Sequence, residues 1–204
     1  MPLIFSETGE FNTLEAVNLG LTYMREPRID DLALINTSFA AEKAYANLLQ
    51  QNRVQQMRGW WFNTTKPTLT PDPVTGRIAI PATYSKVELH ADERCYFPEG
   101  LILSVEIDSD ANTRFLKNGE TDSLVWTRPI RLEVITIKKF MNTPDQFRRV
   151  VALQAASLSG QEVDEAIAAT PFHQRELERA ESELMDAELS NNKVNIYSTQ
   201  PQVR

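Results

Sequence analysis

Gln56-Met57-Arg58-Gly59-Trp60-Trp61-Phe62-Asn63 divides the chain into two kinds of sequence. Before it, apolar residues recur at helical spacing; after it, they alternate and turn residues become frequent. Gly59 is free to take the left-handed conformation that ends a helix, at no steric cost. Trp60, Trp61 and Phe62 follow without a gap and carry the largest apolar surface per residue in the sequence. Read as a strand, Trp60 and Phe62 point to one face and Trp61 to the other. Aromatics on both faces predict a first strand sandwiched between helices on one side and further strands, or a neighbouring subunit, on the other.

Upstream, Thr13 is placed to cap a first helix whose apolar residues Leu14, Val17, Leu21 and Met24 share one face. Pro27 stops it. A second helix starts at Ser38, with Glu42 in its first turns and a stripe of Ala41, Ala44, Tyr45, Leu48 and Leu49. Its distal half, Gln50 to Gln56, is polar almost all round, which predicts exposure to solvent or packing against another protein.

Downstream, Pro71 to Gly76 reads as a turn before a strand over Arg77 to Ile80, closed by Pro81. Short strands are expected at Lys86–Leu89, Arg94–Phe97 and Leu101–Ile107, and a hairpin turn at Asn118-Gly119. Ile130 to Ile137 alternates almost without interruption and is the clearest strand. Thr143-Pro144-Asp145 then opens a third helix, with Thr143 as N-cap and an inner face of Phe147, Val150, Val151, Gln154 and Leu158. Gly160 weakens it, and 161–169 resumes as helix. Thr170-Pro171 repeats the cap signal for a fourth helix, with Leu177, Ala180, Leu184 and Ala187 inside and a crowd of glutamates elsewhere.

These elements predict an α+β fold: a four-helix bundle made by the N- and C-terminal helix pairs, with a small antiparallel β domain inserted between them. The expected segments are 1–59 and 141–190 for the bundle, 60–140 for the β domain, and 191–204 for a loose tail. At 204 residues, 42% hydrophobic and 24% charged, the chain has enough apolar sequence for a real core. A net charge of −7 with dispersed basic residues argues against a phosphate-gripping surface. Cys95 stands alone, so no intrachain disulfide forms. Met1 to Glu7 lacks the basic and apolar regions of a signal peptide, and no apolar run nears the roughly 20 residues that span a bilayer. A soluble product of a reducing cytoplasm is expected.

No catalytic, cofactor or metal constellation rises above background. His90-Ala91-Asp92-Glu93-Arg94-Cys95 contains metal-ligand residue types but reads as a surface loop. His173, in the first turn of the fourth helix, reads as a packing or capping residue, and Cys95 as a buried thiol. Phosphate loops, nucleophile elbows and zinc-protease motifs do not occur. Glu106, Asp108 and Glu133 in the β section are the places to look for a pair of glycosidase carboxylates.

The order of motifs resembles the tail tubular protein A family of short-tailed bacteriophages. Ala16-Val17-Asn18, Glu26-Pro27-Arg28-Ile29 and the Ala40-Ala41-Glu42-Lys43-Ala44 helix lead into the strongest match, Gln56 to Thr64, where the family reads Q-x-x-G-W-x-F-N. Leu69-Thr70-Pro71-Asp72, Gly76 to Pro81 and Pro144-Asp145-Gln146-Phe147 follow in the expected order, so the resemblance spans about residues 12 to 190. Arg25 stands where the family usually has glycine, Met141-Asn142-Thr143 replaces an acidic-Leu run, and Lys86 to Thr121 matches loosely.

The resemblance implies a structural virion protein: an adaptor ring of twelve copies at the head–tail junction, between the portal dodecamer and the tail nozzle (tail tubular protein B). DNA would pass through without sequence-specific binding, and assembly would take place in the host cytoplasm. Glu176, Glu178, Glu181 and Glu183 are then candidates to line an acidic lumen, and Val194, Ile196 and Tyr197 to form a portal-docking strap. The Gly59, Trp60, Trp61, Phe62 and Asn63 motif is structural in this reading. The alternatives are a polysaccharide-hydrolysing tail component using Glu106, Asp108 or Glu133, and a four-helix regulatory or scaffolding protein.

Overall fold

The computed structural model describes residues 11–96, 103–108, 113–161 and 171–191. The chain forms two compact units, one of Met1–Gln55 with Lys138–Arg204 and one of Gln56–Ile137. The first is helical and the second is β, which makes the fold α+β.

In the helical unit, α1 (Thr13–Tyr23) starts from Asn12 rather than Thr13. The Asn12 side chain accepts from Glu15 N at 2.9 Å, and the Glu15 carboxylate accepts from Asn12 N at 3.0 Å. That reciprocal box needs a glutamate three residues after the cap, and only Asn12 has one. Ser38 does cap α2 (Phe39–Gln56), its hydroxyl accepting from Ala41 N at 3.4 Å. Thr143 is not the cap of α3 (Asp145–Gln161); its buried hydroxyl donates to Phe140 O at 2.6 Å, closing the 3-10 turn Phe140–Asn142. The first bond of α3 runs from Arg148 N to Pro144 O. A last helix, α4, covers Pro171–Asn191; the helix expected over 161–169 lies, beyond Gln161, outside the described residues.

Helix α3 is the hub of this unit. Phe147, Val150, Val151, Ala152, Ala155 and Ala156 are all buried, far more than one stripe of an amphipathic helix. Small residues bring its neighbours close. A Cβ on Gly160 would stand 3.3 Å from Tyr23 Cβ of α1, and one on Gly20 of α1 3.0 Å from Ala44 Cβ of α2. Gly160 therefore serves close packing and does not interrupt the helix.

The polar end of α2 departs from expectation. Asn47, Asn52, Gln55 and Gln56 are buried, whereas Leu49, assigned to the apolar stripe, is exposed. Asn47 Nδ2 donates to Ser159 Oγ at 3.0 Å, Asn52 Nδ2 to Lys138 O at 3.2 Å and Gln55 Nε2 to Gln154 Oε1 at 2.5 Å. The amides go inside because α3 and the returning chain offer polar partners there.

The Trp60-Trp61-Phe62 stretch is a turn, not a strand. Gly59 has φ 81° and ends the helix as read. Beyond it, buried Asn63 folds back: its carbonyl accepts from Trp60 N at 2.8 Å and its amide donates to Gln56 O at 3.0 Å. Asn63 N and Thr64 N both reach Trp60 O at 3.0 Å, leaving those donors no ladder to join. Trp60 is buried, and Trp61 and Phe62 are half-buried, in edge-to-face contact at 5.2 Å.

In the β unit, β7 (Ile130–Thr136) pairs antiparallel with β1 (Thr64–Thr65), β2 (Thr68–Leu69) and β4 (Tyr84–Leu89). A second sheet has the order β3 (Ala79–Ile80), β6 (Thr113–Asn118), β5 (Leu103–Asp108). Ile78, Ile80, Leu116, Trp126, Ile130, Leu132 and Val134 form the core, and Trp126 Nε1 donates to Leu116 O at 2.9 Å. Arg94 to Tyr96 belong to a 3-10 helix, Ala91–Tyr96, not to a strand; Phe97 lies outside the described residues. The turn after Asn118 places its positive φ at Asp122 (56°), not at Asn118 or Gly119. The Asn118 side chain instead accepts from Glu120 N and Thr121 N and caps the turn.

Asn63→Ala removes three side-chain hydrogen bonds, from Trp60 N and to Gln56 O and Gln56 Oε1, from a buried turn, and the expected loss is about 1–3 kcal/mol in urea unfolding. Val74→Ala, at an exposed loop position, serves as the control. Equal stability of the two variants would show that Asn63 does not hold the turn.

Candidate functional site

The four α4 glutamates were singled out by sequence, and the structure shows what they touch. Arg149 of α3 places one guanidinium nitrogen 3.0 Å from Glu176 and another 3.1 Å from Glu183. Arg179 holds the other Glu183 oxygen at 3.0 Å, one helical turn earlier. Glu181 accepts from Gln154 Nε2 at 3.0 Å, and Gln154 in turn accepts from Gln55, so α2, α3 and α4 are joined by one chain of side-chain bonds. Three of the four carboxylates thus clasp α4 to α3; Glu178 is exposed.

At the other end of this helix pair, buried His173 lies edge-on to Tyr23, its Nδ1 2.5 Å from the phenol oxygen. Burial holds the imidazole below its ordinary range. Burial first, and the Glu176 carboxylate second, push the Tyr23 phenol up. His173 is therefore the packing residue the sequence pointed to.

Of the β-unit carboxylates singled out by the sequence, Glu106 and Glu133 sit in ion pairs on separate sheets. On β5, Glu106 meets Lys117 at 2.9 Å, and Asp122 meets the same ammonium at 2.6 Å; these two, Asp122 first, raise the lysine above its usual range. Glu133, on β7, faces Glu88 across the ladder, with Lys66 3.9 Å from Glu133 and Lys86 2.7 Å from Glu88. Asp108 ends β5. The loop after His90 is held by arginines: Asp92 pairs with Arg131 at 2.7 Å, Glu93 with Arg128 at 2.7 Å, and Arg128 stacks over Tyr96. Among the described residues no three histidine, cysteine or acidic side chains form a metal-binding group. Cys95 lies within the 3-10 helix, and its side chain is outside the described set.

Sequence reasoning missed the apolar residues that face out. Phe39, 80% exposed, Leu49 and Val54 stand on the outer side of α2; Phe172, 73% exposed, Met185 and Leu189 do so on α4. The signal was present: Phe39 and Ala46, seven apart, fall opposite the Ala41, Ala44 and Leu48 stripe. An open cleft of about 370 Å³ also lies on the helical unit, lined by Asn12, Thr13, Leu14, Asp30, Asp31, Leu32 and Met141. Val194, Ile196 and Tyr197 lie outside the described residues.

The chain is a two-unit α+β protein whose Glu176, Glu181 and Glu183 are engaged by α3 and whose α2 and α4 carry exposed apolar residues. A family model described as tail tubular protein matches residues 14–194, and the chain belongs to that family. It is a structural component of a bacteriophage tail. No curated protein matches it significantly. Among the described residues no helix is long and apolar enough to cross a membrane. Arg25, where the family resemblance has glycine, adopts φ 60°, a conformation that glycine takes at no cost.

The His173–Tyr23 pair sets a pH window for the helical unit. The unfolded chain protonates His173 near pH 6.5 and the folded one only lower, so stability is full above that value and falls as pH drops below it. The unfolded chain ionises Tyr23 near pH 10.0 and the folded one only higher, so stability also falls above that value. In thermal unfolding across that range, His173→Gln should flatten the acid limb and Tyr23→Phe the alkaline limb. Limbs unchanged in both variants would contradict the assignment.

Proposed function

We propose that this tail component is the adaptor of a short-tailed phage: a ring, of twelve copies in the virion, joining the portal to the nozzle and enclosing part of the DNA ejection channel. The observation that carries this reading is the family match over nearly the whole chain. The outward apolar residues of α2 and α4 support it, because a ring covers such faces with neighbouring copies. In this reading the helices at both ends of the chain act together as a four-helix bundle, and the tail residues Val194, Ile196 and Tyr197 dock on the portal.

The net charge of −7 favours a lumen that repels DNA and lets it slide. Of the four candidate lumen residues, exposed Glu178 contributes most to such a field, while Glu176, Glu181 and Glu183 also hold α4.

Native mass measurement of the purified protein, alone and mixed with the portal dodecamer of the same phage, tests the proposal. A complex gaining about twelve copies is expected. No association with the portal would overturn the adaptor role and leave the family membership untouched.

A further inference from the structure

We infer that the cleft on the helical unit is the docking site for the chain's own C-terminal segment, Lys193 to Tyr197. The cleft offers three apolar side chains, Leu14, Leu32 and Met141, with the carboxylates of Asp30 and Asp31 beside them. Leu32 and Met141 are exposed, so an occupant of matching chemistry gains by covering them. That chemistry is an extended stretch with apolar residues and positive charge.

Helix directions place the C-terminal segment within reach. The start of α1 lies at the start of α3, where Phe11 N donates to Asp145 at 3.0 Å. The end of α1 lies at the end of α3, where Tyr23 packs against Gly160. In α4, His173 lies against Tyr23 at that far end, while Glu183 meets Arg149 near the start of α3. Helix α4 is therefore antiparallel to both. Residues 184–191 carry it about 12 Å beyond Glu183, whereas Asp145 is only about 6 Å from Arg149. Asn191 accordingly arrives at the end of the unit where Asn12 and Met141 line the cleft. Residues 192–204 continue from there, and five extended residues span about 17 Å.

Charge selects this segment over the other end of the chain. Residues 192–204 contain Lys193 and Arg204 and no acidic residue. Residues 1–10 contain Glu7 and Glu10, which Asp30 and Asp31 would repel. Val194 and Ile196 alternate, so in an extended segment both face the apolar wall while Lys193 meets the carboxylates. The inference stands apart from the adaptor reading, since it concerns the free chain.

Hydrogen exchange on the full-length protein tests it. Amides of 193–197 should exchange about tenfold more slowly in the wild type than in the variant Leu32→Glu with Met141→Glu. Asp30→Lys alone should weaken the protection, and α3 amides, unchanged throughout, report that the variants are folded. Equal exchange in wild type and variant would overturn the inference. Protection that grows with protein concentration would overturn it too, since the segment would then come from a neighbouring copy. So would a cleft whose own protection survives deletion of 192–204, since something else would cover it.

Discussion

A buried side-chain amide without a partner costs about 1–3 kcal/mol, and α2 buries four of them. Asn47, Asn52, Gln55 and Gln56 lie in its last three turns: Asn47 bonds to Ser159, Asn52 to the Lys138 carbonyl and Gln55 to Gln154, and the Gln56 side-chain oxygen accepts from Asn63 Nδ2 at 3.5 Å. A hydrophobic stripe tolerates a small rotation or slide of a helix; these bonds do not. They fix the register of α2 on α3. Asn63 is the counterpart on the other side of Gly59, satisfying the helix end and starting the path into β1.

The same economy governs α4. Its inner face contributes little bulk, mainly Ala180 and Leu184, so apolar burial alone holds it weakly. Arg149 supplies what is missing by bridging Glu176 and Glu183, and the Gln55–Gln154–Glu181 chain ties the three helices across α3. Bonds of this half-exposed kind contribute modestly one by one. Their value lies in fixing the orientation of α4, whose Phe172, Met185 and Leu189 are exposed.

Much of this was legible in the sequence, and the misses share a cause. Helical periodicity located α1 to α4, and alternation located β7, because those signals come from local burial. The polar end of α2 was read as a surface because composition cannot show that Ser159 and Gln154, about a hundred residues away, wait on the other side. Trp60-Trp61-Phe62 looks like a strand for the same reason: β propensity is local, while the turn is imposed by Asn63 reaching back to Gln56. The α4 glutamates were legible as an acidic face, but their pairing with Arg149 is tertiary. The cleft carries no sequence signature at all, since its wall is assembled from three separate segments.

Membership of the tail tubular protein family and a pair of units linked by two chain crossings make a component that works inside an assembly. In the proposed ring, neighbouring copies cover the outward apolar residues, and the internal clasps keep each copy in one shape while neighbours are added. The most direct measurement is an electron cryomicroscopy reconstruction of the virion tail. Density for the helical and β units is expected in a closed ring directly beneath the portal, with the exposed apolar residues of α2 and α4 in contact with neighbouring copies. Finding the protein elsewhere in the tail, or finding those residues open to solvent in the ring, would contradict this arrangement.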